Sequence, residues 1–221
     1  MNKNIAIDGP AGAGKSTIAK QLAKDLGLIY VDTGAMYRGL AIFFLRQGLS
    51  ADDEAGISAA AAQATVTIAY EDGAQQVYLN GENVTPYLRT EETGKMASAS
   101  SVYPAVRARL LDLQRGLASD TDVVMDGRDI GTVVLPDAFL KVYLTASVEE
   151  RARRRILELR EKGETVDEEQ IKNDIIERDY RDMHRETAPL KQADDAVFLD
   201  SSDMNIDEVV GEIKRLYTEK I

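Results

Sequence analysis

The sequence predicts an α/β fold in which a central parallel sheet is flanked by helices in three layers. Three observations carry that expectation. The first fifty residues read strand, loop, helix, strand, helix, the order that builds a parallel sheet with crossover helices. Two later runs, "DVVMD" and "FLKVYLTA", are continuously apolar, as strands buried on both faces are. The closing segment "NIDEVVGEIKRLY" sets Ile206, Val209, Val210, Ile213 and Leu216 at helical spacing, an apolar stripe for one face of such a sheet.

Taken in order, "NIAID" is a short buried strand and "STIAKQLAKDLG" a helix, with Ile18, Leu22 and Leu26 sharing a face with Ala19 and Ala23. Gly27 suits its C-terminus. "LIYVD" is a second strand, and "AMYRGLAIFFLRQG" is a buried helix closed by Gly48, with Met36, Phe43 and Phe44 in the core. The texture changes near Ala64. "TVTIAY", "QQVYL" and "ENVTPYL" are short β-rich runs separated by the turn sequences "EDGA" and "NGEN", so Thr65 to about Arg89 reads as a small antiparallel insert. Helices resume with "TGKMASASSV" and "PAVRARLLDLQRGLA", where Pro104 fits a first turn. Two charged helices, "SVEERARRRILELREKG" and "DEEQIKNDIIERDYRDMHR", precede a last strand, "AVFLDSS". No repeat or low-complexity linker interrupts the chain.

Composition narrows the function classes. With 38 acidic and 27 basic residues among 221, the net charge of −11 disfavours nucleic acid as a partner. The absence of cysteine excludes a disulfide framework and a cysteine zinc site. No apolar run approaches membrane-spanning length, and the first strand begins too early for a signal peptide. A cytoplasmic, monomeric enzyme is the expectation.

"GPAGAGKST" meets the pattern G-x-x-x-x-G-K-[ST] through Gly9, Gly14, Lys15 and Ser16, between a strand and a helix. Glycines let the backbone curl round phosphate, and successive N–H groups of Gly9, Pro10, Ala11, Gly12, Ala13, Gly14 and on to Thr17 (the proline excepted) form an anion nest. The helix beginning near Lys15 turns its positive end to that nest. Lys15 reaches the outer phosphates of a nucleoside triphosphate, and the Ser16 hydroxyl is placed to ligate Mg²⁺ directly. Asp126 ends an apolar strand, where a carboxylate can hold Mg²⁺ directly or through water.

The phosphate acceptor must be read elsewhere. There is no guanine-reading N-K-x-D motif, and the lone D-x-x-G, Asp53 to Gly56, lies in an acidic helical stretch, which disfavours a GTPase switch. "VDTGAMYRG" places Thr33 and Arg38 at the C-terminal edge of the second strand, and "MDGRDIGTVV" places Gly127, Arg128 and Asp129 in a polar corner at that same edge. Arg151, Arg153, Arg154, Arg155 and Arg160 lie on one charged helix, where Glu149 is spaced to pair with Arg153. Arg178, Arg181 and Arg185 lie on the next at spacings of three and four, with Asp182 on or near their face. Two solvated helices would also carry such charges. Phosphoryl transfer between two anions, however, needs several positive donors. The only histidine, His184, is given no role, so a histidine-dependent triad is not expected.

Together "IAIDGPAGAGKST", "YVDTGAMYR", "SSVYPAVRARLL", "DGRDIGTVV", "SVEERARRR" and "ERDYRDMHRETAPL" resemble the bacterial cytidylate kinases among the nucleoside monophosphate kinases, from Ile5 to Leu190. The resemblance implies one P-loop kinase domain over 1–221. It also implies an NMP-binding insert over about residues 62–100 and a mobile helical lid over about residues 150–166 that closes over ATP with Arg151, Arg154 and Arg155. By the same likeness Arg38, Arg128 and Arg185 are ligands of the acceptor phosphate, with Lys15, Asp126, Arg128 and Arg185 at the transfer itself. Ser98, Arg107 and Asp129 read the cytosine edge, and Arg178 and Asp182 contact the sugar. Thr33 stands where some members carry serine. The implied reaction is ATP-dependent phosphorylation of CMP and dCMP with Mg²⁺ and no covalent enzyme intermediate. A kinase for another small acceptor, and a nucleotide-dependent switch, are the alternatives.

Overall fold

The computed structural model describes residues 2–221, and the chain divides into two compact units. In chain order the elements are β1 (Ile5–Asp8), α1 (Lys15–Leu26), β2 (Ile29–Asp32), α2 (Thr33–Arg46), α3 (Glu54–Gln63), β3 (Val66–Glu71), β4 (Ala74–Leu79) and β5 (Glu82–Asn83). There follow α4 (Glu91–Ser100), α5 (Pro104–Asp120), β6 (Val123–Gly127), β7 (Leu140–Thr145), α6 (Val148–Glu161), α7 (Glu168–His184), β8 (Val197–Asp200) and α8 (Ile206–Glu219).

The first unit comprises residues up to Tyr30 and Asp122–Ile221. Its sheet has the order β2-β6-β1-β7-β8, with β6, β1, β7 and β8 pairing in parallel. From β1 the chain crosses past β6 to reach β2, and from β6 it crosses to the other side of β1. The point where strand order reverses therefore lies at the C-terminal ends of β1, β6 and β7, where doubly wound sheets bind ligands. The ends of β1 and β6 are level, since Asp8 is in register with Gly127, while β7 runs two residues past Tyr143, the other register partner of Asp8. Ile5, Ile7, Leu22, Val142, Leu144 and Ile213 form the heart of the core. α8 buries Val209, Val210 and Ile213 as its spacing predicts, but Ile206 is 52% exposed. It is the first helical residue, between Asn205 and Glu208 of the capping box, in the turn that solvent surrounds rather than on the stripe that meets the sheet.

The second unit, Val31–Thr121, holds the three-stranded antiparallel sheet β3-β4-β5. The run "ENVTPYL" is strand only at Glu82–Asn83; Pro86 then sits in a short 3-10 turn at Thr85–Tyr87, since proline has no N–H for a ladder. The acidic stretch at Asp53 opens a helix, with its carboxylate accepting from Gly56 N. Gly39 permits α2 to lie against β4, where a Cβ would come 2.9 Å from Val77 Cγ1. Met36 and Phe44 are fully buried in α2, whereas Phe43 is half-buried.

Candidate active site

Three strands of the sheet end in aspartate, "IAID", "IYVD" and "VFLD", and a fourth, "VVMDG", carries one just before its last residue. Three of these, Asp8, Asp32 and Asp126, are buried, each with polar partners that no apolar strand interior could supply. They mark the polar edge of the sheet.

The phosphate loop leaves β1 at Gly9, whose φ is +150° and where a Cβ would lie 1.9 Å from the Leu144 carbonyl oxygen. No other residue fits there, because the obstacle is backbone. α1 starts at Lys15 with no side-chain cap and no acidic residue in its first turn, so its N-terminal N–H groups and positive end are left for an anion. Lys15 is 5% exposed and its Nζ donates to Pro10 O at 2.7 Å, folding the side chain back over the loop. Burial and the Arg128 guanidinium hold its ammonium well below the ordinary lysine range, opposed in part by Asp126. The negative charge of a bound triphosphate acts in the opposite direction.

Behind the loop, Ser16 Oγ donates to Asp126 Oδ2 at 3.0 Å and Tyr30 Oη donates to Asp126 Oδ1 at 2.9 Å. A hydroxyl and a carboxylate are hard oxygen donors. Mg²⁺ needs few such protein ligands, since it keeps several waters and takes substrate phosphates. The Ser16–Asp126 pair thus fits a divalent cation. Tyr30 holds the carboxylate in place from its far side.

After Asp126 the chain turns through Gly127, Arg128 and Asp129 into one wide helical turn, Ile130–Val134, closed by i→i+5 bonds from Val134 N to Asp129 O and from Leu135 N to Ile130 O. Asp8 accepts from Ile130 N and Gly131 N, each at 2.7 Å. Burial pushes the Asp8 carboxyl up to about 6, although both amide bonds pull it down and Asp129 adds to the rise. Because this folded value exceeds the ordinary one near 3.8, the protonated group favours the fold. That contribution is complete below about pH 4 and is lost as pH rises through about 6.

Arg128 Nε donates to Asp182 Oδ2 at 2.8 Å. Arg185 Nη2 lies 3.6 Å from Asp129 Oδ1, and Arg185 Nη1 3.9 Å from Asp182 Oδ1. These four side chains form one nearly buried cluster of alternating charge. Burial raises the Asp182 carboxyl, but Arg128 and Arg178 more than offset it and hold it below the usual carboxylate range. Arg185 is fixed by Nε donating to Ala188 O at 2.8 Å, and Ala188 sits at φ +50°, a left-handed conformation unfavourable for alanine. Guanidinium groups paired this way present further N–H donors to an anion without leaving their carboxylates.

Comparison with known proteins bears directly on this loop and cluster. The family model described as "Cytidylate kinase" matches residues 5–219. A cytidylate kinase of Lactobacillus johnsonii is 48% identical over 98% of this chain and 94% of its own length. One of Pelotomaculum thermopropionicum is 51% identical over 94% and 92%. The chain belongs to the cytidylate kinase family. A crystal structure described as an uncharacterized protein from Eubacterium ventriosum covers 99% of each chain at a TM-score of 0.55, and at 14% identity that likeness concerns the fold alone.

Against the sequence expectations, the chain brings Lys15, Ser16, Asp126, Arg128, Asp129, Asp182 and Arg185 to one sheet edge of the first unit. The second unit holds Thr33, Arg38, Ser98 and Arg107. There Thr33 opens α2 just after Asp32, whose side chain caps Ala35 N at 2.9 Å and whose backbone is bracketed by the Gln75 amide at 2.9 and 3.1 Å. Arg107 is buried, its Nη1 donating to Ser101 O at 3.2 Å and its guanidinium 5.5 Å from the Tyr37 ring centroid.

Two expectations need correction, and the structure places the arginines of α6 in detail. Arg181 is exposed while Arg178 is half-buried and Arg185 buried, because α7 ends at His184 and Arg185 leaves it in extended backbone, so the three do not share one face. Arg153 pairs with Glu150 at 2.7 Å, not with Glu149, which reaches Lys172 at 2.8 Å. Arg151 is 4% exposed and built into the protein: Nη1 donates to Ala11 O at 2.9 Å and lies 2.7 Å from Asp179 Oδ2, while Nε donates to Ala146 O at 2.9 Å. It braces the phosphate loop from behind. Arg154 bonds Ser201 O at 2.8 Å, and Arg155 is exposed beside Glu158. His184 stacks on Tyr180 at the surface, ring centroids 4.0 Å apart. Sequence reading missed Asp8, Tyr30 and Asp179. For Asp8 a signal existed, a carboxylate closing an apolar strand immediately before the loop.

Proposed function

We propose that this cytidylate kinase passes the γ-phosphoryl group of ATP directly to the phosphate of CMP or dCMP, in line and without a covalent intermediate. The observation that carries the reading is the buried cluster of Arg128, Arg185, Asp129 and Asp182 at the sheet edge that also launches the phosphate loop. In the proposed reaction Lys15 and the loop amides hold the ATP phosphates. Ser16 and Asp126 would hold Mg²⁺, which would supply neutralisation of the phosphate charge. Arg38, Arg128 and Arg185 hold the acceptor phosphate. Positioning and preorganised charge account for most of the rate, since the protein has little covalent chemistry to perform.

Base selection follows from donors and acceptors. Cytosine offers an exocyclic amine to the Asp129 carboxylate and two acceptors to Ser98 and Arg107. Uracil would set a carbonyl against Asp129, a mismatch of about 1–3 kcal/mol when buried. Arg178 and Asp182 contact the sugar. The insert over about residues 62–100 and the lid over about 150–166, with Arg151, Arg154 and Arg155, close to exclude water. Among the described residues no helix is long and apolar enough to cross a membrane. We read the enzyme as a cytoplasmic monomer whose partners are small molecules rather than nucleic acid.

The test is a panel of nucleoside monophosphates assayed with ATP and Mg²⁺. CMP and dCMP are expected to give the highest kcat/KM, with UMP one to two decades lower. Preference for another acceptor, or hydrolysis of ATP at the same rate without any acceptor, would overturn the reading.

A further inference from the structure

We infer that Asp8 is a positioning residue for phosphoryl transfer: it pins the Arg128–Asp129 corner at both ends to the strand that launches the phosphate loop. At one end, Gly127 is the register partner of Asp8 in the β1–β6 ladder. At the other, both oxygens of the Asp8 carboxylate accept backbone N–H groups, from Ile130 and Gly131, at 2.7 Å each. Only two residues, Arg128 and Asp129, span the distance between these anchors. Gly9, the first residue of the loop, follows Asp8 directly. One residue therefore sets the spacing between the donor loop and the two side chains that face the acceptor.

The chemistry explains why a carboxylate occupies this place. An ionised carboxylate presents two acceptor oxygens, whereas an amide presents one acceptor and one donor. An asparagine here would aim its NH₂ at a backbone N–H and lose one of the two bonds. The surroundings are shaped for the same contact. Gly131 has no side chain, and a Cβ there would lie 3.3 Å from Asp8 Oδ2 and 3.1 Å from Lys141 Cδ. Asp8 is 5% exposed, so its two amide bonds are shielded from bulk solvent. Its role is distinct from that of Asp126, which holds Ser16 and Tyr30.

This inference rests on the reading of Arg128 and Asp129 as acceptor contacts, and the experiment separates the two. Asp8→Asn, Gly131→Ala and Asp129→Ala are compared with the parent enzyme for KM of ATP, KM of CMP, kcat and the CMP-to-UMP ratio of kcat/KM, after folding is checked by circular dichroism. Asp8→Asn is expected to raise the KM of CMP about tenfold or more and to reduce the CMP-to-UMP ratio, while the KM of ATP changes by no more than about twofold. Gly131→Ala sets a methyl group against Asp8 Oδ2, the oxygen that accepts from Gly131 N, with the Asp8 charge intact, and is expected to move the KM of CMP in the same direction. It decides the matter should Asp8→Asn fail to fold. An unchanged KM for CMP in a folded variant, or equal losses for ATP and CMP, would overturn the positioning role. If Asp129→Ala leaves the CMP-to-UMP ratio intact while Asp8→Asn still raises the KM of CMP, the base-reading role of Asp129 fails and the positioning role stands.

Discussion

The exposed arginines of α6 and the buried ones paired with Asp179, Asp182 and Asp129 are the same residue in two different physical situations. At solvent-exposed positions of α6, Arg153, Arg155 and Arg160 pair with Glu150, Glu158 and Glu168. Glu150 falls to about 2 chiefly through its bonds to Arg153, yet the Arg153 guanidinium is exposed and solvent screens the pair. Such contacts add little to stability. At the sheet edge, Arg128, Arg185 and Arg151 are paired with Asp182, Asp129 and Asp179 out of water. There the charges have lost their hydration, and each depends on its partner. The lesson is that arginine count and helical spacing do not separate a solvated face from an anion site. Burial and the identity of the carboxylate partner do.

The largest expected break in this contrast comes from Arg128→Ala. It leaves Asp182 without its closest cation and removes a donor proposed to act on the transferring phosphate. kcat/KM for CMP should fall by about a thousandfold or more, roughly 4 kcal/mol of transition-state stabilisation, in steady-state assays. A loss under tenfold would place Arg128 with the surface set. Next in size is Asp179→Ala, which strands the Arg151 guanidinium behind the loop. Unfolding in urea should show a loss of about 3 kcal/mol, and the double replacement Arg151→Met with Asp179→Leu should recover much of it, since removing a whole buried pair costs less than breaking it. The smallest effect belongs to Arg153→Ala. Its kcat/KM should stay within about twofold of the parent and its thermal midpoint within about one degree, measured by calorimetry. A marked loss of activity there would mean that the outer face of α6 takes part in the reaction.

Much of this architecture is legible from local pattern. The phosphate loop was readable because its glycines, lysine and serine are contiguous and their chemistry is set by backbone geometry. The buried strands were readable from continuous apolar runs. The limits are equally specific. Glu149 and Glu150 are neighbours in sequence, and spacing alone favoured the wrong one for Arg153. Arg181 and Arg185 look equivalent on a helical wheel, but the helix ends between them and buries only one. Ile206 belongs to the apolar stripe by count and to the N-terminal cap by position.

The sequence by itself determined the α/β class, the phosphate-binding loop and the residue types that phosphoryl transfer between two anions requires, because these follow from periodicity and from short contiguous motifs. Only the tertiary structure decided which charges are partners. Asp8 meets Ile130 and Gly131 across 122 and 123 residues, and Arg151 meets Ala11 across 140. Such pairings are chosen by strand order and burial, where an unpaired charge is costly, and no local pattern in the chain encodes them.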